Sequence, residues 1–270
     1  MDSSSSPSNL SRSSFYRIKA LVLRHQNLGD SDRLITVLSN EYGKLRLSVR
    51  GARKTKSRLG GHVEPLIYGD FLVVRGKTLD TVTQAQAIET FPMVRSNLIK
   101  MSEGIYLAEL VDNFLQVGEP QSNILSFLLN ILDKSNDIED NGDLLLRIFE
   151  IKLLSFTGFQ PGLDNCTDCG IQLGDRKEYS FVARSGGVVC QNCVNSHSAW
   201  VRTVNADVIE SIRLIQQNGI DTIGKVNFTE DLLSDLEMLI RWYLNYVLDR
   251  PIEALSFLDQ VRSTKELFSS

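Results

Sequence analysis

This 270-residue chain has four cysteines, and they fall into two pairs: Cys166-Thr167-Asp168-Cys169 and Cys190-Gln191-Asn192-Cys193. A two-residue gap lets a tight knuckle aim both sulfurs at one ion, and two knuckles supply four thiolates, the closed tetrahedral shell of a structural zinc. Twenty residues separate Cys169 from Cys190, with Gly170, Gly174 and Gly186-Gly187 placed where turns are needed. A closed shell leaves no position for water, so Zn2+ here is expected to be structural rather than catalytic. The intervening loop carries few large apolar residues and is expected to depend on the ion for its fold. The competing reading is unconnected core cysteines or a redox pair. His197 lies close by, but a fifth ligand is unnecessary and it is expected at the surface.

The second concentration of chemistry is Lys44–Arg58, KLRLSVRGARKTKSR, with seven basic residues in fifteen and no acid. These are Lys44, Arg46, Arg50, Arg53, Lys54, Lys56 and Arg58; with Arg33 upstream they form the candidate nucleic-acid-binding set. A flexible basic loop suits phosphate contact, because neutralised phosphates release condensed counterions. A charge run can equally be a solvated face, so the context has to decide. Residues 1–95 carry a balance of +7 and residues 96–270 one of -11, within a net charge of -4. That split favours an anionic partner for the N-terminal part. Tyr42, Phe15 and Tyr68 are candidate stacking residues, although aromatic residues of small barrels are commonly core.

No catalytic constellation accompanies these features, and the chain is not expected to be an enzyme. His25, His62 and His197 are far apart in sequence. Gly219–Val226 has the spacing of a phosphate loop but places Val226 where a Mg²⁺-binding hydroxyl belongs, and a helix is expected before it. His62-Val63-Glu64 lacks the Pro-Cys partner of a nucleobase deaminase, since Asn165 and Val189 precede the cysteine pairs. Asp137, Glu139, Asp140 and Asp143 read as solvated charge at a helix start.

The elements that must position these residues follow from periodicity. Five β-type runs are expected, over 15–24, 34–38, 44–49, 67–75 and 79–88, separated by Gly- and Asp-rich turns such as Asn27–Asp30. That spacing fits a small closed barrel, either an OB-fold or an SH3-like barrel. Beyond Phe91-Pro92 the period becomes helical, with helices over 98–115, 124–132, 143–156, 207–216 and 229–248, the last stopped by Pro251. Residues 179–182 and 188–189 are read as a hairpin carrying the second knuckle. Hydrophobic residues at 42% and charged residues at 23% are ordinary for a chain with a real core and exclude a wholly disordered or collagen-like one. No apolar run approaches the ~18–20 residues of a membrane helix. Eight serines in the first fourteen residues give a tail expected to be disordered, with no apolar stretch of a secretory signal. A cytoplasmic, reducing location is therefore expected, with the cysteines as thiols or metal ligands.

Several ordered segments resemble the RecO family of bacterial DNA repair proteins. They are Leu28–Thr36, Gly43-Lys44, Arg50–Arg58 and Pro65, then Tyr106–Leu110, Arg147–Glu150 and Gly158–Asp164 leading to Cys166, and finally Arg250–Ile252 and Phe257–Arg262. The resemblance spans about residues 15–262. It implies an α+β architecture: an N-terminal OB-fold β-barrel at 15–90, a helical domain at 91–162 and 201–270, and an inserted four-cysteine zinc module at 163–200. It also implies a recombination mediator of the RecF pathway that binds single- and double-stranded DNA and anneals complementary strands. With RecR, such a protein loads RecA on DNA coated by single-strand-binding protein. The resemblance places contact with that protein's acidic tail on the helical domain; Arg241 and Arg250, beside Trp242, Tyr243 and Tyr246, are the candidate partner-binding residues there, against the competing reading that Trp242 and Tyr246 pack the helical core and Arg241 is solvated. A zinc-containing nucleic-acid enzyme and an RNA-binding factor are the alternative readings of the same features.

Overall fold

The computed structural model of the protein describes residues 14–120, 122–136 and 142–269. The expected tail, up to residue 13, lies outside them, as do Asp137, Glu139 and Asp140.

Five strands come first: β1 (Phe15–Leu28), β2 (Asp32–Ser39), β3 (Gly43–Val49), β4 (Tyr68–Val74) and β5 (Asp80–Glu89). They close a barrel in the order β1-β2-β3-β5-β4, with β3 and β5 parallel and the other pairs antiparallel. This is the OB-fold, and of the two barrels the strand spacing allowed, only this one matches. Alternation explains the interior: Ile18, Ala20, Val22, Ile35, Val37, Leu47, Val49, Phe71 and Val73 all point inward. The first strand runs past Arg24, because His25 to Leu28 pair with Ile35 to Asp32 and the chain reverses only at Gly29, φ +59°. A register shift between Val22 and Arg24 turns the strand from one barrel neighbour to the next.

The helices are α1 (Pro92–Ser96), α2 (Leu98–Phe114), α3 (Ser122–Ser135) and α4 (Gly142–Phe156). After the cysteine region come α5 (Gln191–Val194), α6 (Ala206–Gln217), α7 (Ile220–Ile223), α8 (Glu230–Leu248) and α9 (Glu253–Ser269). Side-chain caps start two of them: Asn97 accepts from the amides of Ile99 and Lys100, and Thr229 from that of Leu232. Within the helical domain expected to reach residue 270, no separate helix is expected after the one that Pro251 stops, yet α9 follows; its first amides, at Glu253 and Ala254, are capped at 2.8 and 2.6 Å by the distant Glu109 carboxylate. The Gly219–Val226 segment folds as the short helix α7 rather than as a phosphate loop.

A three-stranded sheet, β6 (Glu178–Val182), β7 (Gly187–Val189) and β8 (Val201–Asn205), is ordered β7-β6-β8. The sheet of the cysteine module therefore extends to Asn205, past the expected boundary at 200. Nor is the stretch between the knuckles short of apolar anchors. Tyr179, Phe181, Val182, Val188 and Val189 are buried in the same core as the helices, which corrects the expectation that the ion alone organises it.

Barrel and helices share a face. Leu21, Leu23, Leu38 and Leu66 pack into the helical core. Gly43, φ +62°, sits against the chain after α2, where an added Cβ would lie 1.8 Å from the Glu119 carbonyl oxygen, so no side chain fits there.

Candidate nucleic-acid interface and metal centre

The basic segment is folded rather than flexible. Ala52 and Val63 plug into the barrel interior. The Gly51 amide donates to the Asp32 carboxylate at 2.8 Å, and the Arg53 amide to the Ser31 carbonyl at 2.9 Å. That bond from Gly51 leads the effects holding the Asp32 carboxyl below its usual value, with the Ser31 hydroxyl and the charges of Arg50 and Lys54 adding to it. Ser57 Oγ accepts from the amides of Leu59 and Gly60, fixing the far end of the segment. The β3–β4 connection is thus tied to the β1–β2 turn, and its cations are presented from a preset backbone.

Arg46, Arg50, Arg53, Lys54, Lys56 and Arg58 are all exposed. Among the described residues none of them has an ion-pair partner, whereas Arg17, Arg24, Arg33, Lys44 and Lys134 all do. A groove of about 800 Å³ runs between this segment and the β4–β5 turn, lined by Leu28, Arg50, Leu59, Arg75, Lys77 and Val82. It is bounded by the turns that flank the ligand face of OB-folds. Arg75 and Lys77 escaped the sequence reading because each stands alone; the signal was the Gly76-Lys77 turn between two barrel strands. Arg75 also lies over the Tyr16 ring at 4.6 Å, and Tyr16 packs on Tyr42 at 5.0 Å. Tyr16 is further fixed by donating to Asp80 at 2.7 Å. Of the other proposed stacking residues, Phe15 is exposed, whereas Tyr68 packs against the helical core.

Two expected members of the cationic set lie elsewhere. Lys44 is buried, donating to the Asp112 backbone oxygen at 2.7 Å and its carboxylate at 3.0 Å. Asp112 also meets Arg24 at 2.5 Å, so Lys44 ties the barrel to α2 and is withdrawn from the open surface. Its place on a strand predicts an outward side chain correctly, but α2 covers that face. Arg33 is largely buried and meets Glu64 at 2.5 Å, and Glu64 also lies 3.3 Å from His25. The arginines expected at a partner site are engaged internally as well. Arg241 pairs with Glu237 and with Asp259 at 2.8 Å, and Arg250 donates to the Asn113 carbonyl at 2.5 Å.

The four cysteines come together as their spacing predicts. Their sulfurs lie within 4.8 Å of one another. A tetrahedral shell of ~2.3 Å bonds has sulfur–sulfur edges of ~3.8 Å; the Cys169 and Cys190 sulfurs are 3.8 Å apart. The Cys190 amide donates to the Cys166 sulfur at 3.2 Å, and the Gly170 amide closes the first knuckle on the Cys166 carbonyl at 2.8 Å. Burial pushes the Cys166 thiol up, but amides of Cys169, Cys190 and Asp168 outweigh it and bring it down to about 6. The Cys193 amide leads in lowering Cys190. Four thiolates at this spacing repel one another, and a divalent cation at their centre makes the all-thiolate state favourable. The cluster can therefore hold a metal ion. His197 is not a surface bystander: its Nε2 lies 2.7 Å from the Asp168 carboxylate inside the first knuckle, linking it to the chain after the second.

Residues 14–91 match the family model for the N-terminal part of recombination protein O, and residues 95–256 the model for its C-terminal part. A protein of Desulforamulus reducens named DNA repair protein RecO is 31% identical over 246 residues, 91% of this chain and 94% of its own. One of Dehalococcoides mccartyi with the same name is 33% identical over 92% of this chain and 96% of its own, and one of Bacillus pumilus is 28% identical over 92% and 95%. An OB-fold barrel bearing unpaired cations, a helical core and a four-cysteine cluster, matched by both models over nearly its whole length, make this chain a member of the recombination protein O family.

Proposed function

We propose that the protein is a non-enzymatic, cytoplasmic DNA repair protein, a recombination mediator that binds single- and double-stranded DNA through its barrel and anneals complementary strands. With RecR it would load RecA on DNA coated by single-strand-binding protein. The observation that carries this reading is the set of exposed barrel cations without ion-pair partners among the described residues in a chain of this family: Arg50, Arg75 and Lys77 line one groove, and Arg46, Arg53, Lys54, Lys56 and Arg58 share the basic segment of Arg50. Exposed cations neutralise a phosphate backbone without reading sequence. Tyr42, exposed and packed on Tyr16 beneath Arg75, adds an aromatic side chain on which a base could stack. Zn2+ at Cys166, Cys169, Cys190 and Cys193 would have a structural role, since four protein ligands fill its shell.

The decisive experiment is annealing of complementary strands coated with single-strand-binding protein, with and without RecR. Annealing by the pure protein, altered by RecR, is expected; strand cleavage or joining in Mg²⁺ would instead favour an enzyme. Preference for RNA in direct competition with single-stranded DNA would favour an RNA-binding factor.

A further inference from the structure

Trp200 stands out among the aromatic residues. It is 43% exposed, and its backbone is left-handed, φ +56°, a conformation disfavoured for any residue carrying a Cβ. The strain is held in place from beneath. The Trp200 carbonyl accepts from the Ala183 amide at 3.0 Å, at the turn of the β6–β7 hairpin. Its ring packs on Trp242 at 5.6 Å and edge-on to Tyr246 at 5.2 Å. Trp242 rests in turn on the buried Phe181 at 6.2 Å. A stack of rings thus rises from the helical core and ends at an indole in solvent.

The charge around it departs from that of the C-terminal part. From Arg176 to Asn205 there are four cations, Arg176, Lys177, Arg184 and Arg202, and one acid, Glu178. All four cations are exposed, and among the described residues none pairs with a carboxylate. The Arg202 guanidinium lies over Trp242 at 5.1 Å, so the cluster already holds a cation and disfavours a cationic ligand. Arg202 also donates to the Met238 carbonyl at 3.4 Å, and an exposed π-face beside guanidiniums that no carboxylate neutralises is complementary to a ligand with a π-face and negative charge.

We infer that Trp200, with Arg184 and Arg202, is a base-stacking site for single-stranded nucleic acid on the cysteine module, separate from the barrel groove. A base covers the outer face of the indole and the flanking phosphates meet the two arginines. This goes beyond the barrel reading and does not depend on it.

The chain has two tryptophans, so Trp242→Phe leaves Trp200 as the sole reporter in the full-length protein. Titration with an unstructured oligothymidylate should quench Trp200 fluorescence in step with binding followed by anisotropy of the labelled strand. Trp200→Ala should weaken that binding roughly 5- to 150-fold, the range for one lost base–aromatic stack, without changing its salt dependence, because an indole carries no charge. Trp200→Phe should recover part of the loss. Binding without any change in Trp200 fluorescence overturns the inference, and so does unchanged affinity in a folded Trp200→Ala protein; either result leaves a protein partner as the occupant of the cluster. If Trp200→Ala fails to fold, the Trp242→Phe titration alone decides. Quenching that persists when removal of barrel-loop charges leaves affinity unchanged would support this site and overturn the barrel reading. The reverse pattern would do the opposite. An oligothymidylate that does not bind the full chain overturns both.

Discussion

Replacing Lys54, Lys56 and Arg58 together with Gln removes three charges whose side chains are exposed and unpaired, while the backbone beneath them stays pinned by Asp32, Ser31 and Ser57. The fold should therefore tolerate the change, with stability within about 0.5 kcal/mol of the parent, as for surface positions generally. The effect on DNA binding can be worked from the count of available cations. Eight are exposed on the barrel without an ion-pair partner among the described residues, namely Arg46, Arg50, Arg53, Lys54, Lys56, Arg58, Arg75 and Lys77, of which Arg50, Arg75 and Lys77 line the groove. If each neutralises one phosphate of a single strand, log affinity should fall with log salt at a slope of about -5.6, and the triple variant should bring it to about -3.5. Between 50 and 200 mM salt this is a loss of roughly 3.4 log units for the parent and roughly 2.1 for the variant. Anisotropy of a labelled oligothymidylate across that range reads both slopes. A variant that is folded by circular dichroism yet keeps the parental slope would refute the argument and move the phosphate contacts away from this segment.

Lys44→Met should behave in the opposite way: it strips the half-buried Asp112 of one of its two charged partners, leaving Arg24, so stability should fall by about 1 kcal/mol in denaturant while the salt slope stays parental. The Asp32 carboxyl is held below its usual value in the folded protein, so its contribution is present above the unfolded pKa and is lost as pH falls through the lower folded one. Protection of the Gly51 amide from hydrogen exchange should decline over that acidic window, and Asp32→Ala should abolish it already at neutral pH. Cys190→Ser should lower the zinc measured by elemental analysis and expose the two knuckles to protease, whereas the β6–β7 hairpin persists on its buried Tyr179, Phe181 and Val188. Protein purified without chelator and containing no zinc would contradict the assignment of the metal.

What the sequence made legible was local. The barrel strands were readable because Leu45, Leu47 and Val49 on β3 alternate with Lys44, Arg46 and Ser48, and on β1 Ile18, Ala20 and Val22 keep the same two-residue step, although Leu21 and Leu23 between them face the helical core. The metal centre was readable because a two-residue gap constrains sulfur geometry whatever surrounds it. What failed depended on partners distant in sequence. Helix α9 starts on a cap supplied by Glu109, 144 residues before Glu253, so no local start signal precedes it. The β8 strand, Val201–Asn205, is short and takes its place only by pairing with β6.

The same division separates the cations. Lys44 and Lys54 belong to one basic run, and composition cannot tell them apart, yet one is buried against Asp112, 68 residues away, and the other is free. A basic run states how much positive charge a segment has. Which of those charges remain for a ligand depends on the acids that the rest of the fold brings to them: Asp112 takes Lys44 and Arg24, and Glu64 takes Arg33. The residues left over are exposed on the barrel, and one of them, Arg50, lines a groove with Arg75 and Lys77 from a turn that no charge pattern marks. An ion-paired cation has already spent its field on its partner, so the remainder, rather than the run as written, sets the counterions that DNA can displace.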